Sequence, residues 1–433
     1  MFKIKLLKFF LFSLFFFSCT LSFSQQFRLI DAIAEGLENN YSILLARNSL
    51  QISSNNVTAG NAGMLPSVTL NGTLNNSAVS YFGQPERPNA RSSNMNANVA
   101  LDWTVFDGFS MFANYDRLKE LEQMGEENMR ATVQQTVASI MNIYFDIVSR
   151  QYELYAYGHI LRISRLRLQS ANDRFLSGRV SKVELLSAQV DYNTDTASYI
   201  RQTEDLRRAK IQLNRLLARD ITTDFFASDS LIVDQTLNYG TIHDLAMAEN
   251  PNVILSRMSV NVAAFTLKSI QGSQYPRVRL TSNYAVASSQ QVVGQADRNN
   301  TGTFNYGATL SVPLFNGFNI NRQIRNARLD MEAAEIRFEQ TQKEIRSQVA
   351  TAYSTYVTYR NLATFEASNL ELASENLEIS MDRYQLGAIS AVELRDVQRS
   401  YISATNRLLV ATFNAKIAET SLKLLTGTVM EIE

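Results

Sequence analysis

Two hydrophobic periods alternate along this chain. In the first, apolar side chains recur at alternating spacings of four and three: Val133, Val137, Ile140, Tyr144 and Ile147, then Ile345, Val349, Ala352, Tyr356 and Tyr359. Such a series is the seam of a helix packed along another helix. The first seam lies in Met111–Leu176, which has no proline and only Gly125 and Gly158 as glycines; the second lies in Asn319–Leu386, which has neither residue. About 66 residues at 1.5 Å each would reach ~100 Å, too long for an ordinary globular helix. In the second register the period is two. Val68, Leu70 and Leu74 alternate with Thr69, Asn71 and Thr73, and Val99, Leu101, Trp103 and Val105 alternate with Asn98, Ala100, Asp102 and Thr104. These predict strands with one apolar and one polar face. Two more follow around Val278–Ala285 and Phe304–Leu314, and polar loops are expected at Gly83–Ser93 and Ser288–Thr301.

The pattern is duplicated. Arg174–Gln189, RFLSGRVSKVELLSAQ, aligns without a gap on Arg383–Gln398, RYQLGAISAVELRDVQ, at one offset (383 − 174 = 209). In each copy a glycine, Gly178 or Gly387, stops a long helix, and Ser181 or Ser390 starts the next. Glycine accepts the positive φ that ends a helix, and serine is a favoured first cap. Each stretch therefore predicts a tight hairpin, with return helices running to about Ala218 and Leu425. The bends VFDGF (105–109) and LFNGF (314–318) recur at the same offset, as do Pro66 and Pro276 within one residue. All six prolines fall outside the four paired helices, where one would cost about 3 kcal/mol. Shorter helices are expected over about 27–56 and 242–268, and an irregular crossover over 220–238. The expected division is a leader, 1–24, a first repeat, 25–238, and a second, 239–433.

The leader reading rests on Lys3, Lys5 and Lys8 ahead of an apolar run, Leu6–Phe17, followed by Ser22 and Ser24. That is the layout of a secretory signal, here cleaved after Ser24. Cys19, the single cysteine, leaves lipoprotein cleavage as the alternative. Beyond the leader no stretch approaches ~20 consecutive apolar residues, which predicts no spanning helix. Removing the three leader lysines turns a balanced charge into 38 basic against 41 acidic residues. Nothing there suggests nucleic acid.

Amphipathic strands in an exported chain suggest an outer-membrane barrel, with a small sheet packed on helices as the alternative. Four strands cannot close a barrel, since about eight is the smallest size. Long seams without a globular core likewise need neighbours. Both halves of the pattern call for oligomerisation. The expected fold class is mainly α with a transmembrane β part.

With these features together the sequence resembles the TolC family of outer-membrane efflux channels, over essentially the whole mature chain. The resemblance implies a homotrimer sharing one β-barrel in outer-membrane lipid, continued by an α-barrel through the periplasm of a Gram-negative bacterium. It implies a periplasmic adaptor (membrane fusion protein) and an inner-membrane pump of RND or ABC type as partners. It places the turns at the adaptor-docking tips, with Gly178 and Gly387 flanked by exposed Leu176, Val180, Leu386 and Ile389. Glu393 and Asp396, three apart on one helical face, match acids lining the periplasmic entrance. Glu184 and Tyr384 match an acid and a tyrosine that hold that entrance closed. Where the family carries an arginine two residues after the tip glycine this chain has Ile389, so a gate here would rest on a Tyr–Glu hydrogen bond and apolar contacts.

No phosphate loop, zinc motif or nucleophile elbow is present, and the expectation is no enzyme and no cofactor. His159 and His243 are far apart in the pattern and read as surface or interface residues rather than metal ligands. Trp103, on an apolar strand face, is expected to anchor at the membrane interface. Small-molecule efflux is the leading functional expectation. Type I protein secretion and metal efflux are alternatives within the channel class, and a structural coiled-coil envelope protein is the alternative outside it.

Overall fold

The computed structural model describes residues 26–83, 90–293 and 295–431. The leader and Cys19 lie outside the described residues. The helices are α1 Leu29–Asn39, α2 Tyr41–Asn55, α3 Ser110–Leu176, α4 Lys182–Leu216, α5 Tyr239–Glu249, α6 Pro251–Gly272, α7 Asn319–Gln385 and α8 Ala391–Leu425. The strands are β1 Gln26–Phe27, β2 Ser67–Val79, β3 Ala90–Phe106, β4 Phe226–Ala227, β5 Arg277–Val293 and β6 Gln295–Ser311. The offset seen in the sequence carries through to length: α3 and α7 have 67 residues each, α4 and α8 35 each.

Two compact units result. One gathers the residues up to Leu44 with Thr132–Met247 and Arg346–Glu433; the other holds Leu45–Ala131 and Ala248–Ile345. In the first unit the predicted seams are the core: Val137, Ile140, Tyr144, Ile147, Val349 and Tyr356 are buried. Around the first seam pack Phe27, Ala32 and Ile33 from the start of the described chain, Leu206 and Leu213 from α4, and Phe225 from the crossover. The crossover contains β4, which pairs in parallel with β1. Polar side chains fix it at two points. The Tyr144 hydroxyl lies 2.5 Å from Asp229 Oδ2 and 2.7 Å from the Phe27 carbonyl, and the Leu29 N–H donates to the same carboxylate at 2.7 Å. Buried Glu419 accepts from the Asp234 N–H at 2.9 Å and from Lys416 at 2.8 Å, and pairs with Lys423 at 3.3 Å. A buried carboxylate is tolerable only when so matched.

The joint between each short helix pair is an asparagine cap. Asn40 Oδ1 accepts from the Ser42 N–H at 2.8 Å and Asn250 Oδ1 from the Asn252 N–H at 3.0 Å, with Pro251 as the first residue of α6. Tyr239–Gly272 is long and apolar enough on average to cross a membrane by composition alone. The expectation of no such helix rested on consecutive apolar residues and passed it over, and the Asn250–Pro251 joint divides it in two.

The second unit is built on one antiparallel sheet, ordered β2-β3-β5-β6. Its register aligns the two-residue periods of all four strands. Leu70 pairs with Val99, Val99 with Tyr284 and Tyr284 with Phe304; one step along, Val68, Leu101, Ser282 and Tyr306 form the next row. Opposed residues of an antiparallel pair share a face. One face is therefore mainly apolar, while the other carries Thr69, Ala100, Asn283 and Asn305, with Asp102 and Arg279 paired at 3.4 Å. Leu70, Val99, Tyr284, Phe304 and Tyr306 of the apolar face are all exposed within the chain. Half-buried Trp103 donates its indole N–H to the Met64 carbonyl at 2.8 Å.

The predicted polar loops are largely strand. Ala90–Ser93 pairs with Asn76–Val79, and Ser288–Val293 pairs with Gln295–Asn300. Residues 84–89 of the first lie outside the described residues. The ladder is made by backbone groups, so polar side chains do not end it, and the loss of apolar alternation was misread as loss of pairing.

At the strand-to-helix bends Gly108 and Gly317 take φ of +72° and +64°, and the phenylalanine after each follows at +69° (Phe109) and +60° (Phe318). Only Gly108 is also crowded: a Cβ there would sit 2.1 Å from the Gly272 carbonyl oxygen. Two successive left-handed residues redirect the chain from extended to helical, at a strain cost that phenylalanine bears and glycine does not.

Candidate channel entrance and docking tips

The two hairpin turns are copies in geometry as well as in sequence. After α3, Gly178 has φ +72°, its N–H donates to the Phe175 carbonyl at 2.9 Å, and the Arg179 N–H donates to that of Arg174 at 2.8 Å. After α7, Gly387 has φ +75°, with Gly387 to Tyr384 at 3.0 Å and Ala388 to Arg383 at 2.8 Å. These bonds satisfy the last carbonyls of each helix. Ser181 and Ser390 then accept the N–H of Glu184 and Glu393 at 3.3 and 3.1 Å, capping α4 and α8. Both glutamates occupy a first helical turn, where the helix dipole favours an anion.

At the tips Leu176 is 76 % and Leu386 84 % exposed. Ile389 and Val180 are not part of that exposed surface. Ile389 is buried with Ile160, Ile163, Leu377, Tyr384 and Leu394, and Val180 is half-buried. The expectation placed all four side chains outside because it took nearness to the glycine for exposure. The chain turns back so tightly that the residue two after Gly387 already faces the other hairpin. The exposed apolar partners of Leu176 and Leu386 are instead Val183 and Val392, 71 % and 72 % exposed, at equivalent places in the two copies. The repeated Val-Glu-Leu triplet was the signal for them: in the second copy its Glu is exposed and its Leu buried, while in the first both Glu184 and Leu185 are half-buried.

Tyr384 is buried in the same apolar cluster, with the Arg174 guanidinium 5.6 Å from its ring centroid. Burial raises its phenol above the ordinary value; nearby Arg167 and Arg174 pull it down and Glu184 adds to the rise. Among the described residues no hydrogen bond joins Tyr384 to Glu184, so the expected Tyr–Glu link is not made within the chain. Apolar packing holds the tyrosine instead. A groove of about 650 Å³ is lined by Val180, Glu184, Tyr384, Gly387, Ile389, Asp396 and Arg399, among others. Glu393, Leu176, Gly178 and Leu386 do not line it. Asp396 lies 3.7 Å from Arg399, both well exposed.

Arg167, Asp191 and Arg395 line the same groove and belong to a charged cluster that sequence reading missed. Arg167 of α3 contacts Asp191 of α4; Arg395 of α8 lies 2.7 Å from Asp195 and 3.7 Å from Asp191. Ser164 donates to Asp195 from α3. Its signal was only two acids four apart, Asp191 and Asp195, and one arginine inside the second repeated motif.

The histidines stay apart. His159 makes an edge contact with Tyr401 and is held below its ordinary pKa by burial and Arg162, while His243 lies beside Asp244. Among the described residues no group of three or more metal-binding side chains occurs.

A family model described as "Outer membrane efflux protein" matches residues 32–219 and 242–428. The chain belongs to this family of outer-membrane transport channels, which are not enzymes. It is 21 % identical over 408 residues to the outer membrane efflux protein BepC of Brucella suis, covering 92 % of this chain and 85 % of that protein. Over 354 residues it is 20 % identical to the outer membrane protein TolC of Salmonella enteritidis, covering 78 % and 70 %. Among solved structures it matches the Campylobacter jejuni CmeC outer membrane channel with a TM-score of 0.76 at 15 % identity, covering 93 % and 86 %. The fold is therefore that of the TolC-type channels. Other relatives include the alkaline protease secretion protein AprF of Pseudomonas aeruginosa, 22 % identical over 343 residues (78 % and 70 % covered). The cation efflux system protein CusC of Escherichia coli is 20 % identical over 404 residues (90 % and 84 % covered).

Proposed function

We propose that three copies of the chain form one duct that carries small toxic molecules out of the cell, fed at its periplasmic end by an adaptor and an inner-membrane pump. The observation that carries this reading is the combination of a sheet with one uncovered apolar face and two hairpin turns of the same geometry that each expose leucine and valine. The apolar face needs lipid, and its two edge strands, β2 and β6, need neighbours. The paired tips offer equivalent apolar contacts, one from each repeat, to a partner. Glu393, Asp396, Glu184 and Tyr384 surround the entrance between them. A second reading, protein or metal export through the same duct, is favoured by the relatives named for protease secretion and cation efflux.

A strain lacking the chain separates these readings. Small-molecule efflux predicts that dyes and antibacterial compounds accumulate and that the native sequence restores their export. Unchanged accumulation, with a missing secreted protein or heightened metal sensitivity, would favour the second reading.

A further inference from the structure

A second groove, of about 640 Å³, lies between the two hairpins, and the export reading makes no use of it. Ile160 of α3, Leu362 of α7 and Ile402 and Val410 of α8 give it a mainly apolar lining. The sequence explains why it is not filled. The four-three series of α7 runs through Tyr356 and Tyr359, then meets Ala363 and Glu366 in place of two large apolar side chains. On α8, Gln398, Ile402 and Asn406 stand four apart and share one face, so two amides flank the isoleucine. Both amides line the groove. Gln398 is 1 % exposed, and its Oε1 accepts from Arg395 Nη1 at 3.5 Å, which leaves Nε2 as its free end. Among the described residues Gln398 Nε2 and Asn406 Oδ1 are buried without a hydrogen-bond partner. A donor and an acceptor left unmatched beside an apolar hollow cost the fold stability, and a ligand that matches both recovers it.

We propose that this groove is a binding site for a neutral, mainly apolar small molecule that carries a carbonyl acceptor at one end and an N–H or O–H donor at the other. The volume fits a molecule of drug size, and an apolar hollow with a few fixed polar groups is how such sites are built. The carbonyl meets Gln398 Nε2, the donor meets Asn406 Oδ1, and the apolar body rests on Ile402 between them. Eight residues of helix at 1.5 Å each set the two amides about 12 Å apart along α8, which fixes the length of the molecule. Charge decides its class. Each charged side chain that lines the groove already has an opposite partner: Arg395 with Asp195 at 2.7 Å, Arg407 with Glu366 at 3.0 Å, and Arg399 with Asp396 at 3.7 Å. A charged ligand would give up its hydration and meet no unpaired countercharge, whereas a neutral one gains two hydrogen bonds. The site goes beyond the export reading and stands whichever cargo the duct carries.

The test uses the assembled full-length protein in lipid nanodiscs and a photoreactive probe, a benzophenone with an acetamide on one ring and a hydroxymethyl group on the other. Irradiation followed by peptide mapping shows where the probe sits. The site predicts saturable labelling of α7 and α8 within the groove. The same frame with a carboxylate or an aminomethyl group in place of the alcohol should label it several-fold less. Leu362→Trp fills the groove from a position 43 % exposed and should remove the saturable labelling. Gln398→Met keeps the side-chain length, removes the amide and should raise the half-saturating concentration several-fold. Leu386→Ala, at the tip and outside the groove, should change neither. Leu362→Trp carries the test alone if Gln398→Met does not assemble. Labelling that does not saturate, equal labelling by the charged analogues, or native labelling in Leu362→Trp overturns the site. The strain lacking the chain, not this labelling, decides the export reading, so the two can fail separately.

Discussion

Neutralising Glu393 and Asp396 together, as Glu393→Gln with Asp396→Asn, is expected to reverse the ion preference of the channel rather than merely weaken it. The reason is Arg399, 3.7 Å from Asp396 and equally exposed. On this face of α8 each chain carries two carboxylates and one guanidinium, a net of −1 (−2 + 1). The double substitution removes both negative charges at nearly constant size and leaves +1. Three copies around one axis concentrate the difference in a narrow passage, where rings of carboxylates favour cations and rings of arginine favour anions. Single substitutions should each bring the face near neutrality and lower cation preference without reversing it. Block by polyvalent cations from the periplasmic side should disappear with the carboxylates that ligate them. Reversal potentials under a salt gradient read the first effect, and titration of a trivalent cation reads the second. Native selectivity and native block in the double variant would make these acids ordinary surface charges.

Placing an aspartate at each tip, Leu176→Asp with Leu386→Asp, should abolish export while leaving assembled protein in the outer membrane. Both leucines are more than three-quarters exposed, so a charge there costs the folded chain little. An adaptor surface that buries them would have to desolvate two unpaired carboxylates, and such a contact is lost outright. Val183→Asp and Val392→Asp should act in the same way, because these valines share the exposed surface of the turns. Gly387→Ala is a graded companion. Its left-handed φ of +75° would cost alanine about 1–2 kcal/mol, with open space around the new methyl. Local loosening of one turn should reduce export in part. In-cell crosslinking to the adaptor, scored beside the amount of assembled protein, checks all of these. Normal crosslinking and export by the double aspartate variant would remove the docking assignment.

The elements set by strong local chemistry were legible in the chain. Two glycines with φ above +70°, each followed three residues later by a capping serine, made both hairpins readable to within a residue or two. Four-three spacing located the buried seam residues because those side chains have no alternative burial. The strands were readable where apolar and polar side chains alternate, and unreadable in Ser288–Gln291 and Arg298–Asn300, where side chains are polar on both faces and the backbone continues the pairing. Side-chain direction at the turns was the larger gap. Ile389 and Val392 are both apolar, close to one glycine, and only the path of the chain decides that the first is buried and the second exposed. The Arg395 cluster was invisible for a related reason: its members are 200 and 204 positions apart (395 − 195, 395 − 191), and nothing local marks them as partners.

The number of copies that close the barrel is the most direct measure of how this chain works. Each chain brings four long strands with one mainly apolar face and two unpaired edges, β2 and β6. Closure requires several chains. Native protein extracted from outer membranes in mild detergent, weighed intact and imaged as single particles, should be a three-fold particle. It should have one shared barrel, with β2 of each copy paired to β6 of the next. A monomer with an open four-stranded sheet, or a protein released from cells without detergent, would contradict the account.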